Sequence, residues 1–275
     1  MSFTLLHDRD EIERFFRTDV GLHIYSLGDL DDFFWSYTTW FAHRTKGEIS
    51  AIALLYAGMA VPTLLALNTD VEPMADLVSS IRELLPLRFY AHLSPGLASV
   101  LEPTHQLHAH GLHCKMVLSA DAAARLRAAS PAGGTVRLGT GDLTAVLAFY
   151  EEAYPGNWFD PRMLETGQYV GIREEGRLVS VAGIHVYSPR YRVAALGNIA
   201  TLPTRRGRGY GSCATAELCR VLVNEGLDVG LNVGAQNEAA IACYRKIGFR
   251  TVAHYEEYEI ERSTTSHASR PNPYS

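Results

Sequence analysis

Nothing in this chain is arranged as a disulfide framework. Its four cysteines, Cys114, Cys213, Cys219 and Cys243, include no CxxC pair, so reduced thiols in a cytoplasmic protein are expected. There is no long basic run, and the formal net charge is −5; binding of nucleic acid by phosphate neutralisation is therefore not expected. No apolar run is long enough to span a bilayer. The most apolar stretch, residues 51–67, is broken by Gly58 and Pro62, which reads as two buried strands joined by a turn, and no membrane partner is expected. Residues 1–16 carry acids among their apolar side chains and lack a basic n-region, so they are not read as a signal peptide.

A histidine-rich stretch, His105, His108, His110 and His113 followed by Cys114, is dense enough to raise a metal. Its spacing is not that of a zinc site, and on a strand only His108 and His110 share a face; no metal is expected.

What is present is ordinary globular material. The 275 residues are 47% apolar and 20% charged, enough for one or two cores. An alanine-rich run ending in Ser130-Pro131-Ala132-Gly133-Gly134 is the linker candidate. The expected division is therefore a domain at 1–120, a linker at 121–134, a second domain at 135–262 and a disordered tail at 263–275.

The second half alternates strands and helices. Strands are expected at 136–138, 169–174, 178–187, 192–201, 229–233 and 250–260. Helices are expected at 142–154 with Asp142 as N-cap, at 211–225 and at 239–247. In the helix from Gly211, Ala214, Leu218, Val221 and Leu222 share one face, and Gly226 sits where a left-handed C-terminal glycine belongs. The first half repeats a similar order. A helical region lies within 8–30, strands are expected at 38–44, 48–56, 62–68, 88–93 and 112–119, and helices at 72–84 and 96–101. The class is α/β with a mixed sheet.

Residues 197–211 carry the functional signal. A strand ends near Thr201, a helix begins near Gly211, and between them Gly207, Gly209 and Gly211 alternate with Arg208 and Tyr210. Glycine permits tight turning and close ligand approach. The first amides of the next helix lack internal partners and carry partial positive charge. Arg205, Arg206 and Arg208 add charge at the same place, so the segment is suited to a phosphate or pyrophosphate. The spacing is not that of a dinucleotide GxGxxG, and the Gly-Lys-Ser/Thr of a Walker loop is missing.

Arg206-Gly207-Arg208-Gly209-Tyr210-Gly211 instead resembles the coenzyme A loop, Arg/Gln-x-x-Gly-x-Gly/Ala, of the GCN5-related N-acetyltransferase (GNAT) superfamily. Downstream, Asn237-Glu238-Ala239-Ala240-Ile241-Ala242-Cys243-Tyr244-Arg245-Lys246-Ile247-Gly248-Phe249 resembles its second signature, Asn-x-x-Ala-x-x-x-Tyr-x-x-x-Gly-Phe. Asn237 suits a helix cap, and Ala240 and Tyr244 share a face. The resemblance covers about residues 135–260. It implies a GNAT fold there, with the first half a degenerate GNAT-like domain lacking the loop, as in tandem members of the mycothiol synthase type.

The resemblance further implies acyl-CoA-dependent N-acyl transfer, with acetyl-CoA as donor and a small-molecule or peptide amine as acceptor. Transfer would be direct, within a ternary complex. Ile199, Ala200 and Thr201 would contact the pantetheine through a strand splayed by a bulge. Arg206, Gly207, Arg208, Gly209, Tyr210 and Gly211 would hold the pyrophosphate, with Asn237 nearby. Tyr244 is the candidate acid for the leaving thiolate. The base stays open among His185, Glu151, Glu152, Asp160 and a water fixed by Asn232, because the strand before the loop offers Asn198 where many relatives place a glutamate. Residues 154–161, aromatic with one carboxylate, fall where the acceptor is expected; the acidic-aromatic stretch 29–35 is a similar patch. A non-catalytic acyl-CoA sensor is the rival reading, and tRNA-dependent aminoacyl transfer is a third, weakened by the acidic charge.

Overall fold

Strong caps and short apolar periods mark out the elements of the computed structural model, which describes residues 3–263. The tail expected from 263 lies, from residue 264 on, outside the described residues. The chain opens with β1 (Thr4–Leu6), α1 (Arg9–Phe16), α2 (Val20–Gly28), α3 (Asp32–Trp35), β2 (Thr38–Thr45), β3 (Glu48–Tyr56) and β4 (Thr63–Ala66). It continues through α4 (Val71–Ile81), β5 (Arg88–Leu93), α5 (Ala98–Leu101), β6 (His105–Leu118), α6 (Ala120–Ala128) and β7 (Thr135–Leu138). The remainder is α7 (Leu143–Ala153), β8 (Tyr169–Glu174), β9 (Arg177–Ser188), β10 (Val193–Thr201), α8 (Tyr210–Asn224), β11 (Asp228–Gly234), α9 (Glu238–Ile247) and β12 (Phe249–Arg262).

The chain packs as two compact units, one of residues 3–5, 39–110 and 256–263, the other of 6–38 and 111–255. In the first, β4 and β5 pair in parallel across the α4 crossover. Met74, Leu77, Val78 and Ile81 of α4 are buried, an i, i+3, i+4, i+7 stripe laid over the strands. Residues 256–261 of β12 pair antiparallel with β5.

In the second unit the strand order is β6-β11-β10-β9-β8-β7. There β10 and β11 run parallel, joined through α8, whose Ala214, Leu218 and Leu222 are buried. Two segments from early in the chain belong to this unit. Residues 113–117 of β6 pair with β11, and α2 packs on β9, β10 and β11. The fit of α2 requires glycine beneath it: an added Cβ on Gly230 would lie 2.5 Å from Ile24 Cδ1.

Two expectations need correcting in detail. Part of the anticipated linker is α6, with Ser119 Oγ accepting from the Ala122 amide; an alanine-rich run has the highest helix propensity and here it has a cap. Asp142 stands at the N-cap position of α7 but does not cap it with its side chain. The carboxylate instead accepts from the Gly139 amide and pairs with Arg173 at 2.8 Å. No helix among the described residues is long and apolar enough to cross a membrane.

Candidate functional site

β10 and β11 part company along their length. Their paired register runs from Val193↔Asp228 to Leu196↔Leu231. Beyond that point β10 stays with β9 through Ala200↔Val181 and Thr201↔Ser180, and β11 stays with β6 through Gly234↔His113. The cause is a bulge in β10 between Gly197 and Ala200, where Asn198 adopts a left-handed φ of 53°, a conformation asparagine tolerates. Buried bonds hold it. Tyr150 Oη donates to the Asn198 carbonyl at 2.6 Å and Asn198 Nδ2 reaches Tyr169 Oη at 3.1 Å. Ser180 Oγ donates to the Ala200 carbonyl at 3.1 Å and lies 2.9 Å from Thr201 Oγ1. Ile199, Ala200 and Thr201 are thus on a partly buried edge freed from β11.

At the end of that edge the loop turns on two left-handed glycines, Gly207 at φ 76° and Gly209 at φ 83°. Gly209 is the N-cap of α8 and, having no side chain, makes no side-chain cap bond. The Cys213 amide donates to the Gly209 carbonyl at 2.9 Å, which leaves the preceding amides of Tyr210, Gly211 and Ser212 at the helix start with no side-chain cap. Arg206 and Arg208 are exposed, and neither is ion-paired among the described residues. Arg205 and Tyr210 have different roles. Arg205 Nε lies 2.6 Å from Glu174 Oε2 and the Tyr210 hydroxyl also bonds to Glu174; these bonds, the Tyr210 one first, hold the Glu174 carboxyl below its usual range. Glu174 was not singled out in the sequence.

The corresponding crossover in the first unit contrasts with this one. The α4 N-terminus is capped by Asp70, whose carboxylate accepts from the Glu72 amide. An acid occupies the place an anionic ligand would need there.

The α9 signature folds as its residue types require. Asn237 is exposed and its Oδ1 accepts from the Ala240 amide at 3.1 Å, while Gly248, at φ 116°, ends the helix with bonds to the Tyr244 and Arg245 carbonyls. Asn237 therefore orders the helix. Tyr244 is 8% exposed, sits edge-on to Phe249, and its hydroxyl makes no hydrogen bond to a described residue. Burial, with Cys243, Cys219 and Tyr154 nearby, pushes its hydroxyl well above the ordinary tyrosine value, so it is protonated throughout the neutral range.

Among the base candidates, Asp160 caps the turn at Pro161–Thr166 and pairs with Arg162 at 2.5 Å. Glu152 pairs with Arg177 and Glu151 is exposed. His185 stands differently. Its ring packs on Gly197 in the bulged strand, its Nε2 is buried without a partner, and burial lowers its pKa, opposed by Asn198. It is a neutral imidazole at the point where β10 leaves β11.

Phe159 of the expected acceptor segment lies 5.2 Å from the Tyr150 ring and 5.8 Å from Tyr169, so that segment reaches the bulge through its aromatic rather than its carboxylate. In the 29–35 stretch, Asp31 caps α3 and accepts from Ser188 Oγ at 2.6 Å. Phe33 carries Arg162 over its ring at 5.2 Å. Of the histidine stretch, His105 is buried against Phe89 and His113 stacks on Tyr255 at 5.2 Å.

The site is thus a parallel strand pair splayed by a bulge, with an uncapped, arginine-flanked helix start at its open end. The family model described as Acetyltransferase (GNAT) family matches residues 142–249. An N-alpha-acetyltransferase RimI of Mycobacterium tuberculosis is 32% identical over 122 residues, 42% of this chain and 74% of that protein. A mycothiol acetyltransferase of Paenarthrobacter aurescens is 33% identical over 97 residues, 34% of this chain; this chain spans only 29% of its length. A solved tandem GNAT protein from the clavulanic acid biosynthesis pathway shares the fold at TM-score 0.56 and 17% identity, covering 95% of this chain and 98% of its own. The chain belongs to the acetyltransferase (GNAT) family, and the likeness of fold extends over both of its halves.

Proposed function

We propose that the protein is an acyl-CoA-dependent N-acyltransferase that passes acetyl from acetyl-CoA to a primary amine, directly and in a ternary complex. The observation that carries this reading is the α8 start. Gly207 and Gly209 in left-handed conformations and an N-terminus with no side-chain cap form a cradle for a pyrophosphate, with Arg206 and Arg208 exposed beside it. The bound acetyl-CoA would supply the activated acyl group as a thioester.

The chain's own residues account for the rest. Amides of 199–201, freed from β11, hold the pantetheine arm and polarise the thioester carbonyl. The amine nitrogen bonds to the acyl carbon as the carbon–sulfur bond breaks. Tyr244 gives its proton to the departing sulfur, and His185, neutral and with a free buried nitrogen, takes the proton from the amine directly or through a water. The four cysteines are free, in keeping with a cytoplasmic setting.

Release of free thiol from acetyl-CoA across a panel of amines, with calorimetric binding of acetyl-CoA alongside, tests the reading. Thiol release that depends on an amine supports it. Tight acetyl-CoA binding without turnover on any amine favours a sensor instead, a reading that the buried, fully engaged Asn198 on β10 supports by standing where a catalytic acid is common.

A further inference from the structure

Beside the splayed strands lies a buried lysine that the reaction above does not use. Lys115 of β6 is 3% exposed. Its Nζ lies 3.3 Å from Asn232 Oδ1, 4.9 Å from the Tyr25 ring centroid and 5.4 Å from that of Tyr255. No carboxylate pairs with it among the described residues. An ammonium taken out of water without a counter-charge is costly, and one amide oxygen with two ring faces offsets that cost only in part.

The position of this lysine is informative. Leu196↔Leu231 is the last paired position of β10 and β11. Asn232 is therefore the first β11 residue past the parting, as Gly197, under the His185 ring, is the first of β10. Asn232 and Tyr25 are both partly exposed and both lie against Nζ. The groups around it are Asn232 on β11, Tyr25, His23 and Asp19 from α2 and its cap, and Tyr255 of β12 with His113 stacked on it. Asp19 is already committed as the α2 cap, accepting from the Leu22 amide at 3.0 Å.

We infer that Lys115 with Asn232 forms an anion subsite of the acceptor pocket, and that the amine acetylated here carries a carboxylate. One point charge between two rings suits a singly charged carboxylate; a phosphate, with more charge and more acceptor oxygens, would call for further donors. This rests on the acyl-transfer reading and adds the acceptor's class to it.

The test uses matched probes on the full chain: glycine, β-alanine, γ-aminobutyrate and dipeptides against their C-terminal amides, with phosphoethanolamine against ethanolamine. Binding is measured calorimetrically with coenzyme A present, and kcat/KM by thiol release, for wild type, K115M and K115Q. The expected result is that each carboxylate outbinds its amide by about ten-fold or more in wild type, as for a charge-assisted bond. The expected preference falls to near unity in both variants while acetyl-CoA affinity is kept. Equal binding of acids and amides by wild type, a preference retained in both variants, or selection of phosphoethanolamine over the carboxylates overturns the subsite and leaves acyl transfer standing. Absence of turnover on every amine overturns acyl transfer, and the binding arm still decides the subsite.

Discussion

The imidazole of His185 fills the space that a side chain at position 197 would occupy: a Cβ on Gly197 would lie 2.2 Å from His185 Cδ2. Gly197 thus fixes where the buried Nε2 stands. Gly197→Ala is expected to displace the ring and lower kcat/KM on the order of 10²-fold, the usual scale for a displaced catalytic group. The acetyl-CoA dissociation constant should move little. An unchanged kcat/KM would remove His185 from the mechanism.

Gly207→Ala and Gly209→Ala isolate the backbone. Nothing lies within 4 Å of a Cβ added at either site, so any effect comes from the positive φ, worth roughly 1–2 kcal/mol for a residue other than glycine. Acetyl-CoA affinity should fall about ten-fold in each by that amount. Arg206→Ala and Arg208→Ala should weaken binding less and flatten its salt dependence. Calorimetry at two ionic strengths checks both expectations.

Tyr244→Phe removes the hydroxyl but keeps the ring edge on Phe249. Turnover is expected to drop on the order of 10²–10⁴-fold, the range for a positioned acid, with acetyl-CoA affinity unchanged. The loss should shrink for thioesters whose thiol is a better leaving group. Equal losses for all donors would assign Tyr244 to packing alone.

Three buried groups near α2 make stability depend on pH in opposite senses. Burial lowers Lys115 from its ordinary 10.5 to about 7, so the unfolded chain binds the extra proton between those values and wild-type stability rises with pH across them. Burial, then Lys115, lowers His23 from 6.5 to about 3, so stability is lost as pH falls through that window. Burial raises Asp29 from 3.8 to about 7, so stability falls as pH rises there. Lys115→Met should therefore stabilise the protein most at pH 7 and below, by up to a few kcal/mol, with the gain fading toward pH 10.5. Asp29→Asn should gain on wild type between pH 4 and 7. Thermal melts across pH test both.

A chain beginning at residue 135 would lack α2 and the β6 segment that pairs with β11. The surface over Gly230 would be bare and one edge of β11 unpaired. Such a chain is expected not to fold alone, which circular dichroism and melting would reveal; cooperative melting would show that residues 135–262 suffice.

The parts legible in the sequence are those set by short-range chemistry. The glycine alternation at 207–211, the Asn237 cap and the Gly248 stop each act within one helical turn. Residues 119–128 are ambiguous in sequence, because alanine reads equally as linker or helix, and the Ser119 cap decides it. The α2 docking and the Lys115–Asn232 contact, 117 residues apart in the chain, have no local signature at all. Tyr150 and Glu174 carry no local signature for the same reason: each acts on a backbone or loop group that only folding brings near.

Glu174 ties Arg205 and Tyr210 to the end of β8, on the two flanks of the glycine loop. A loop held this way is preorganised, so ligand capture need not freeze it. In the proposed reading it would also take Arg205 from the ligand's reach and leave Arg206 and Arg208, which would moderate grip. If the chain turns over as proposed, that restraint would serve release of the spent carrier: product departure, rather than capture, is the step this carboxylate would hasten.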